Sequence, residues 1–234
     1  MSVCEECVVR NRAICSALDS DELEVMNRIG HKQVLKAGQT FMWEGDRSSV
    51  VANVIDGVLK LTNSLDDGRE QIVGLAFPAD FIGRPFQDHV KHTITALTDT
   101  KICSFSRSGF EQFAHDHPNL EHKVLERTLD ELDQARDWML LLGRKTAAEK
   151  LATFLINMSE RSADAGCAVN LMPQNKFKLP FGRQQIADIL GLTIETVSRQ
   201  LTDLSRKSVV DLPGKRDVVI KDRDALMALA NLQQ

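Results

Sequence analysis

The chain has 234 residues, of which 43% are hydrophobic and 26% are charged, with a formal net charge of −4. Two ordinary domains fit this length, and the composition is typical of a water-soluble globular protein. No apolar run approaches the roughly 20 residues of a membrane-spanning helix, and the N-terminus lacks the pattern of an export signal. We therefore expect a cytoplasmic protein with no membrane partner.

The charge is distributed unevenly along the chain. Residues 143–234 contain 14 Lys and Arg against 10 Asp and Glu, whereas residues 1–142 contain 15 against 23. A basic C-terminal part joined to an acidic N-terminal part is typical of a DNA-binding domain attached to a regulatory domain. A solvated imbalance without function would look similar, so this pattern needs a motif to support it.

Three cysteines form a Cys-x2-Cys-x7-Cys pattern near the start of the chain, namely Cys4, Cys7 and Cys15. In a reducing compartment such thiols indicate metal or redox chemistry rather than disulfides. A Cys-x2-Cys pair lets the backbone wrap a soft metal or a cluster, and Cys103 or Cys167 must then supply a fourth ligand. Zinc and iron–sulfur clusters both accept four cysteines, so the metal stays open, as does a thiol switch.

A short helix capped by Ser20 is predicted before residue 30, and residues 31–105 then change to short apolar stretches separated by turn signals. Gly45, Gly57 and Gly68 are 12 and 11 residues apart. This is the spacing expected of successive strands and turns in a small barrel or roll. The pattern predicts a β-rich domain.

A long helical run begins at Asn119, and part of it follows a heptad-like path. Such a helix forms either a core element or the seam of a two-fold dimer. Several acidic residues along it argue against burial on all sides. The predicted seam positions are Leu125, Thr128, Leu132, Ala135, Met139 and Leu142.

Residues 183–199 predict two short helices joined by a tight turn at Gly191, with Thr193 capping the second helix. Apolar residues of both helices face a core, and Ile194 is expected to be buried with Val197 and Leu201. This is the layout of a helix-turn-helix, whose second helix enters the DNA major groove. An ordinary helical hairpin would share the apolar spacing. The outward side chains favour DNA, because they are of the types that read base edges.

Each outward side chain of the second helix suits a particular contact. Arg199 can bind guanine O6 and N7, and Glu195 can accept from a cytosine or adenine amino group. Glu195 can also interact favourably with the helix N-terminus. Ser198 can reach a base or a phosphate, and Thr196 the backbone or a thymine methyl group. The predicted DNA-binding residues are Thr193, Glu195, Thr196, Ser198 and Arg199. Helix-turn-helix proteins commonly bind two half-sites as dimers, which favours a dimer seam on the long helix.

A β-hairpin is predicted after this motif, with strands on either side of residues 213–216. Lys215 and Arg216 at its tip can contact phosphates, or can equally belong to a solvated turn. A final helix is predicted over residues 223–232. Together these parts predict a winged helix-turn-helix.

In the order of its parts, essentially the whole chain resembles the CRP/FNR family of transcription regulators. The most specific motif, residues 186–199, is similar to the FNR branch of that family. Gly38 in Lys-Ala-Gly-Gln, residues 67–72 and residues 79–83 support the resemblance. The compact N-terminal cysteine pattern is similar to FnrL-type members.

The resemblance implies an α+β fold with an N-terminal β-roll like that of cyclic-nucleotide-binding domains, a long dimerisation helix and a C-terminal winged helix-turn-helix. We expect a cluster-binding segment at 1–19 and a sensory β-roll at 20–117. A dimerisation helix is expected at 118–145 and a DNA-binding domain at 146–234.

The resemblance also implies that Cys4, Cys7, Cys15 and Cys103 hold an oxygen-labile [4Fe–4S] cluster. Cys103 is chosen because Lys-Ile-Cys-Ser-Phe around it matches the internal cysteine strand of the family, whereas the loop of Cys167 has no match. In this family the intact cluster favours the dimer that binds DNA. The implied function is an oxygen-responsive homodimeric activator that binds a two-fold site with half-sites like TTGAT and contacts RNA polymerase.

A cyclic nucleotide is not expected as effector. Family members that bind one carry Gly-Glu for the ribose and Arg-Ser for the phosphate, but the corresponding stretches here are residues 83–85, Gly-Arg-Pro, and 92–94, His-Thr-Ile. Haem stays open because the chain has six histidines. A small metalloenzyme is a distant alternative, because we find no nucleophile–base pair, phosphate loop or open metal site. We therefore expect no enzymatic activity.

Overall fold

The computed structural model describes residue 4 and residues 6–68, 70–164 and 175–231, so Cys167 lies outside the described residues. In this part of the chain no helix is both long and apolar enough to cross a membrane.

The chain divides into two compact units, Met1–Arg136 and Asp137–Gln234. The first unit contains a β-roll with helices on one side, and the long helix α3 runs across the boundary in sequence. The elements up to that helix are a 3-10 turn (Ile14–Ala17), α1 (Ser20–Ile29), β1 (Gly30–Leu35), β2 (Thr40–Met42), β3 (Val50–Asp56), β4 (Leu59–Ser64), β5 (Glu70–Ala76), β6 (Phe81–Gly83), β7 (Thr93–Ala96), β8 (Thr100–Ser106), α2 (Arg107–Asp116) and α3 (Pro118–Arg144).

Two antiparallel sheets form the roll, in the strand orders β1-β8-β3-β6 and β2-β7-β4-β5. Apolar side chains such as Ile94 and Ile102 pack between the sheets. The outer face of the first sheet carries Val51 and Phe105, which pack with residues of α1, α2 and the N-terminal segment. Since successive strand residues face opposite ways, Ile102 lies inside the roll while Cys103 faces the N-terminal segment.

The three glycines whose spacing predicts the turns all have backbone angles in the left-handed region. Gly45, Gly57 and Gly68 have φ values of 87°, 89° and 86°. At Gly57 a Cβ atom would lie 2.6 Å from the Asp99 carbonyl oxygen, so this turn requires glycine for space as well as for conformation. The predicted β-rich domain is confirmed.

Helix α1 is confirmed, but its predicted cap is wrong. Asp19, not Ser20, is the N-cap: its carboxylate accepts from the Glu22 N–H, and the Glu22 carboxylate accepts from the Asp19 N–H, both at 2.9 Å. This reciprocal capping box satisfies two otherwise unpaired donors. Ser20 is therefore the first helical residue.

The second unit contains the predicted winged helix-turn-helix. Helices α5 and α6 are joined at Gly191, which has a φ of 61°. The third sheet has the order β10-β11-β9, and β10 and β11 form the wing. The elements of this unit are α4 (Ala147–Asp164), β9 (Lys176–Lys178), α5 (Arg183–Leu190), α6 (Ile194–Arg206), β10 (Val210–Asp211), β11 (Asp217–Ile220) and α7 (Arg223–Ala230).

The predicted burial of α6 is correct at two positions and wrong at one. Val197 and Leu201 are buried, together with Leu204, but Ile194 is 37% exposed. Ile194 is the first residue of the helix, and the buried face of the helix begins only after it. The remaining face of α6 is polar, and it is therefore free to meet a ligand.

Candidate metal centre and nucleic-acid interface

Four cysteines line one cavity on the outer face of the first sheet. Cys4 and Cys7 lie in the N-terminal segment, Cys15 in the 3-10 turn and Cys103 on β8. The structure thus brings together all four thiols that the sequence analysis selected as ligands.

The register of the sheet places a cation and an amide on either side of Cys103. On β8 this residue is paired with Lys32 of β1 and with Asn53 of β3. Directly paired residues share a face, with Cβ atoms about 4.5–5.5 Å apart, and all three side chains line the cavity. A Cβ atom at Gly30 would lie 3.3 Å from the Cys103 Sγ atom, so the glycine leaves room for the sulfur.

Two of the thiols have hydrogen-bond partners on neighbouring elements. The Cys4 Sγ atom donates to Asn27 Oδ1 over 3.3 Å, and Asn53 Nδ2 donates to the Cys15 Sγ atom over 3.6 Å. Asn53 is only 2% exposed. Its Oδ1 atom is buried without a hydrogen-bond partner among the described residues.

Burial raises the pKa of three of these thiols. It raises the pKa of Cys15 to about 12 and that of Cys103 to about 11, and the neighbouring thiols act in the same direction. Burial also raises the pKa of Cys4, although Lys32 and Arg10 partly oppose it. Since the thiolate is both the nucleophile and the metal ligand, metal uptake here must release protons. The same burial disfavours simple thiol-switch chemistry.

No three His, Cys, Asp or Glu side chains are arranged, within the described ranges, so that they could hold a single metal ion. The four thiols are instead distributed around a cavity that also has apolar walls, including Met26 and Phe105.

The N-terminal segment contacts the long helix close to the cavity. The Nη2 atom of Arg127 on α3 donates a hydrogen bond to the backbone carbonyl of Arg12. Ile14, which is fully buried, belongs to the same apolar core as Leu120 and Val124 of α3. The segment between Cys7 and Cys15 is therefore attached to the helix by both polar and apolar contacts.

The predicted seam positions of α3 lie mostly at the surface, on an otherwise charged helix. Two further leucines that are not among the predicted seam positions are exposed on this helix, Leu129 by 53% and Leu140 by 56%. The exposed apolar seam positions are Leu125 at 55%, Leu132 at 46% and Met139 at 70%. Thr128 and Ala135 are also exposed, whereas Leu142 is half-buried. Apolar positions at this spacing suit packing against a partner helix.

The N-terminal turn of α6 carries the predicted base-reading residues. The Thr193 hydroxyl accepts from the Thr196 N–H over 3.2 Å, which confirms the cap. The Glu195 N–H and the Thr193 hydroxyl hold the pKa of the Glu195 carboxyl below its usual range, so the carboxylate is a ready acceptor. Arg199 is exposed one turn further along, and Ser198 is half-buried.

Two neighbouring contacts complete this surface. Arg183, the first residue of α5, donates to the Ser198 hydroxyl over 3.3 Å. Arg183 is not among the predicted DNA-binding residues, although a basic residue at the start of this helix is a visible signal. In the wing, Lys215 and Arg216 are both exposed, but the Arg216 guanidinium already donates to the Pro180 carbonyl over 3.2 Å. Lys215 is thus better placed than Arg216 to meet a phosphate.

Comparison with known proteins identifies both parts of the chain. The family model of the Crp-like helix-turn-helix domain matches residues 149–229, and that of the cyclic nucleotide-binding domain matches residues 32–117. The transcriptional activator protein FnrL of Cereibacter sphaeroides is 46% identical over 222 residues, which are 94% of this chain and 88% of FnrL. The nitrogen fixation regulation protein FixK of Bradyrhizobium diazoefficiens is 40% identical over 88% of this chain and 85% of FixK.

A solved structure gives the same result for the fold. FixK2 from Bradyrhizobium japonicum superimposes with a TM-score of 0.78 at 32% identity, covering 88% of this chain and all of that one. The roll, the long helix and the winged helix-turn-helix are therefore those of regulators and not of an enzyme. The chain belongs to the CRP/FNR family of DNA-binding transcription regulators.

Proposed function

We propose that this protein is an oxygen-responsive transcriptional activator of the FNR/FixK type. In this proposal Cys4, Cys7, Cys15 and Cys103 hold a [4Fe–4S] cluster that permits sequence-specific DNA binding at low oxygen. The observation that carries the proposal is the meeting of these four thiols, three from the N-terminal segment and one from β8, around one cavity.

The donor set and its surroundings fit such a cluster. Four thiolates are the usual ligands of a [4Fe–4S] cluster, and the cavity also has apolar walls, including Met26 and Phe105. Because four thiolates bring negative charge, the cations Lys32 and Arg10 at the same cavity stabilise the loaded site. When bound, the cluster supplies an oxygen-labile centre.

The N-terminal segment transmits the state of this centre to α3. Its backbone accepts a hydrogen bond from Arg127, and Ile14 packs in one core with Leu120 and Val124. These contacts lie at the start of the apolar seam that begins with Leu125. Acidic residues on α3 repel one another across a dimer, so a coupling of ~1–3 kcal/mol is sufficient to decide the equilibrium.

The dimer presents two copies of α6 to DNA. Arg199 is exposed for a bidentate contact to guanine, and Glu195 is ionised for contact with an amino group. A two-fold site with half-sites like TTGAT matches two such helices. Since FnrL is a transcriptional activator by name, we extend the proposal to contact with RNA polymerase.

Anaerobic purification of the full chain tests this function. We expect a brown protein that contains equal amounts of iron and acid-labile sulfide and binds a TTGAT palindrome in an anisotropy titration. Air should bleach the protein and weaken DNA binding together. A colourless protein with stoichiometric zinc, or DNA binding that is unaffected when the colour is lost, would overturn the proposal.

A further inference from the structure

Asn53 is an unusual residue for its position. It lies in the middle of β3, 2% exposed, on the sheet face that it shares with the apolar Val51 and Phe105. A buried side-chain amide normally has partners for both of its polar atoms. Here the Oδ1 atom has none among the described residues. An apolar side chain of the same size would avoid that loss of stability.

The nitrogen side of the same amide lies against the thiols. Asn53 Nδ2 donates to the Cys15 Sγ atom over 3.6 Å, and the residue is paired with Cys103 across β8. One rigid, buried side chain thus borders two of the four thiols from the sheet side. A metal-bound thiolate sulfur only accepts hydrogen bonds, so once Cys15 is a ligand the amide can present only its N–H group to it and leaves the oxygen unpaired.

We propose that Asn53 is a positioning residue of the cysteine centre, and this inference rests on the proposed function. Its amide donates an N–H···S hydrogen bond to the Cys15 thiolate, orients that ligand and determines how long the bound cluster survives in oxygen. Hydrogen bonds to ligand sulfur tune iron–sulfur centres, and partners of this kind typically change metal affinity by 10–100-fold.

The geometry separates this role from the general packing of the sheet. Ser104, the next residue after Cys103, is also buried, at 5% exposure, but it is bonded to Gln33 and to the His31 carbonyl. Ser104 is not among the residues that line the cavity. Ser104→Ala therefore removes a buried polar group from the same sheet without touching the thiols, and it is a matched control.

The test compares Asn53→Leu with wild type and Ser104→Ala, all as full chains reconstituted anaerobically with iron and sulfide. We expect Asn53→Leu to lose its visible absorbance in air about tenfold faster than wild type. Its Fe–S(Cys) stretching bands in resonance Raman spectra should shift and lose their sensitivity to deuterium exchange. Ser104→Ala should match wild type in both measurements.

A second variant keeps the test decisive if the leucine variant does not fold. Asn53→Asp preserves the shape but replaces the donor with an acceptor, so it should show the same Raman change and an even shorter cluster lifetime. Wild-type lifetime and spectra in these variants would overturn this inference alone. A wild-type chain that takes up no cluster would overturn the proposed function and this inference with it.

Discussion

Arg127 on the long helix donates a hydrogen bond to the carbonyl of Arg12, on the segment that carries three of the four cysteines. The two residues are 115 positions apart in sequence. Because the acceptor is a backbone carbonyl, this hydrogen bond depends on the path of the backbone and not on which side chains the segment carries. Any rearrangement between Cys7 and Cys15 must therefore alter or break this bond.

Arg127→Leu should separate cluster binding from DNA binding. We expect the variant to take up the cluster normally, because Arg127 does not line the cavity. Its affinity for DNA when loaded should fall toward that of the cluster-free protein, by about 5–150-fold, measured by anisotropy with matched absorbance spectra. Arg136→Gln is the control, since the exposed Arg136 forms an ion pair with Asp133 on the same helix. Loss of the cluster in Arg127→Leu would contradict this prediction.

Replacement of single cysteines should identify the fourth ligand. Cys103→Ser should abolish the [4Fe–4S] absorbance and DNA binding, because it removes the proposed ligand on β8. Cys167→Ser should leave both intact. Iron and sulfide analysis of the two variants measures this directly, and an intact cluster in Cys103→Ser would show that the ligand assignment is wrong.

Arg199→Ala should weaken DNA binding mainly at one base pair. Loss of a bidentate contact to guanine costs ~1–3 kcal/mol at the position that it reads. Titration against the TTGAT palindrome and a set of single-base variants measures the effect. Lys215→Ala is the comparison, because a phosphate contact weakens binding to every sequence alike. Uniform weakening by Arg199→Ala would reassign that residue to the phosphates.

Leu132→Asp should shift the protein from dimer to monomer. Burial of a leucine side chain stabilises by ~1.5–3 kcal/mol, and a two-fold dimer loses the contribution twice. We expect the dimer dissociation constant, measured by analytical ultracentrifugation, to rise more than tenfold. Leu65→Asp replaces a leucine of similar exposure, 57% against 46%, in a hairpin of the roll and should leave the dimer unchanged. Equal effects of the two variants would argue against the seam.

Titration with cyclic AMP in a calorimeter should give no binding heat. The position that would contact the ribose holds Arg84 in place of a carboxylate. At the neighbouring Gly83 a Cβ atom would lie 2.9 Å from the Val50 carbonyl, so the backbone here is tightly packed against β3. Saturable binding would contradict the prediction.

Much of this architecture can be predicted from local sequence patterns. Gly57 and Gly191 mark turns because few other residues adopt their backbone conformations, and Thr193 caps α6 because a hydroxyl must meet unpaired N–H groups. The cap of α1 was misplaced by one residue, since Asp19 and Ser20 are both good caps and only the reciprocal bond with Glu22 decides between them.

The surroundings of the thiols could not be predicted in the same way. Lys32, Asn53 and Cys103 are neighbours only because β1, β8 and β3 pair in one particular register. A shift of one residue would turn each side chain to the other face. Arg127 likewise meets Arg12 only through the placement of α3. Such contacts depend on tertiary packing, and no short stretch of sequence encodes them.

The division of the thiols between a short N-terminal segment and a central strand has a consequence for stability. A group that joins Cys15 to Cys103 closes a loop of about 90 residues, and cross-links of that span restrict the unfolded chain by roughly 4–5 kcal/mol in the chain-entropy account. The bound group would then act as a reversible cross-link that stabilises the roll. In the proposed function, loss of the group in oxygen would therefore lower the folding stability of the first unit.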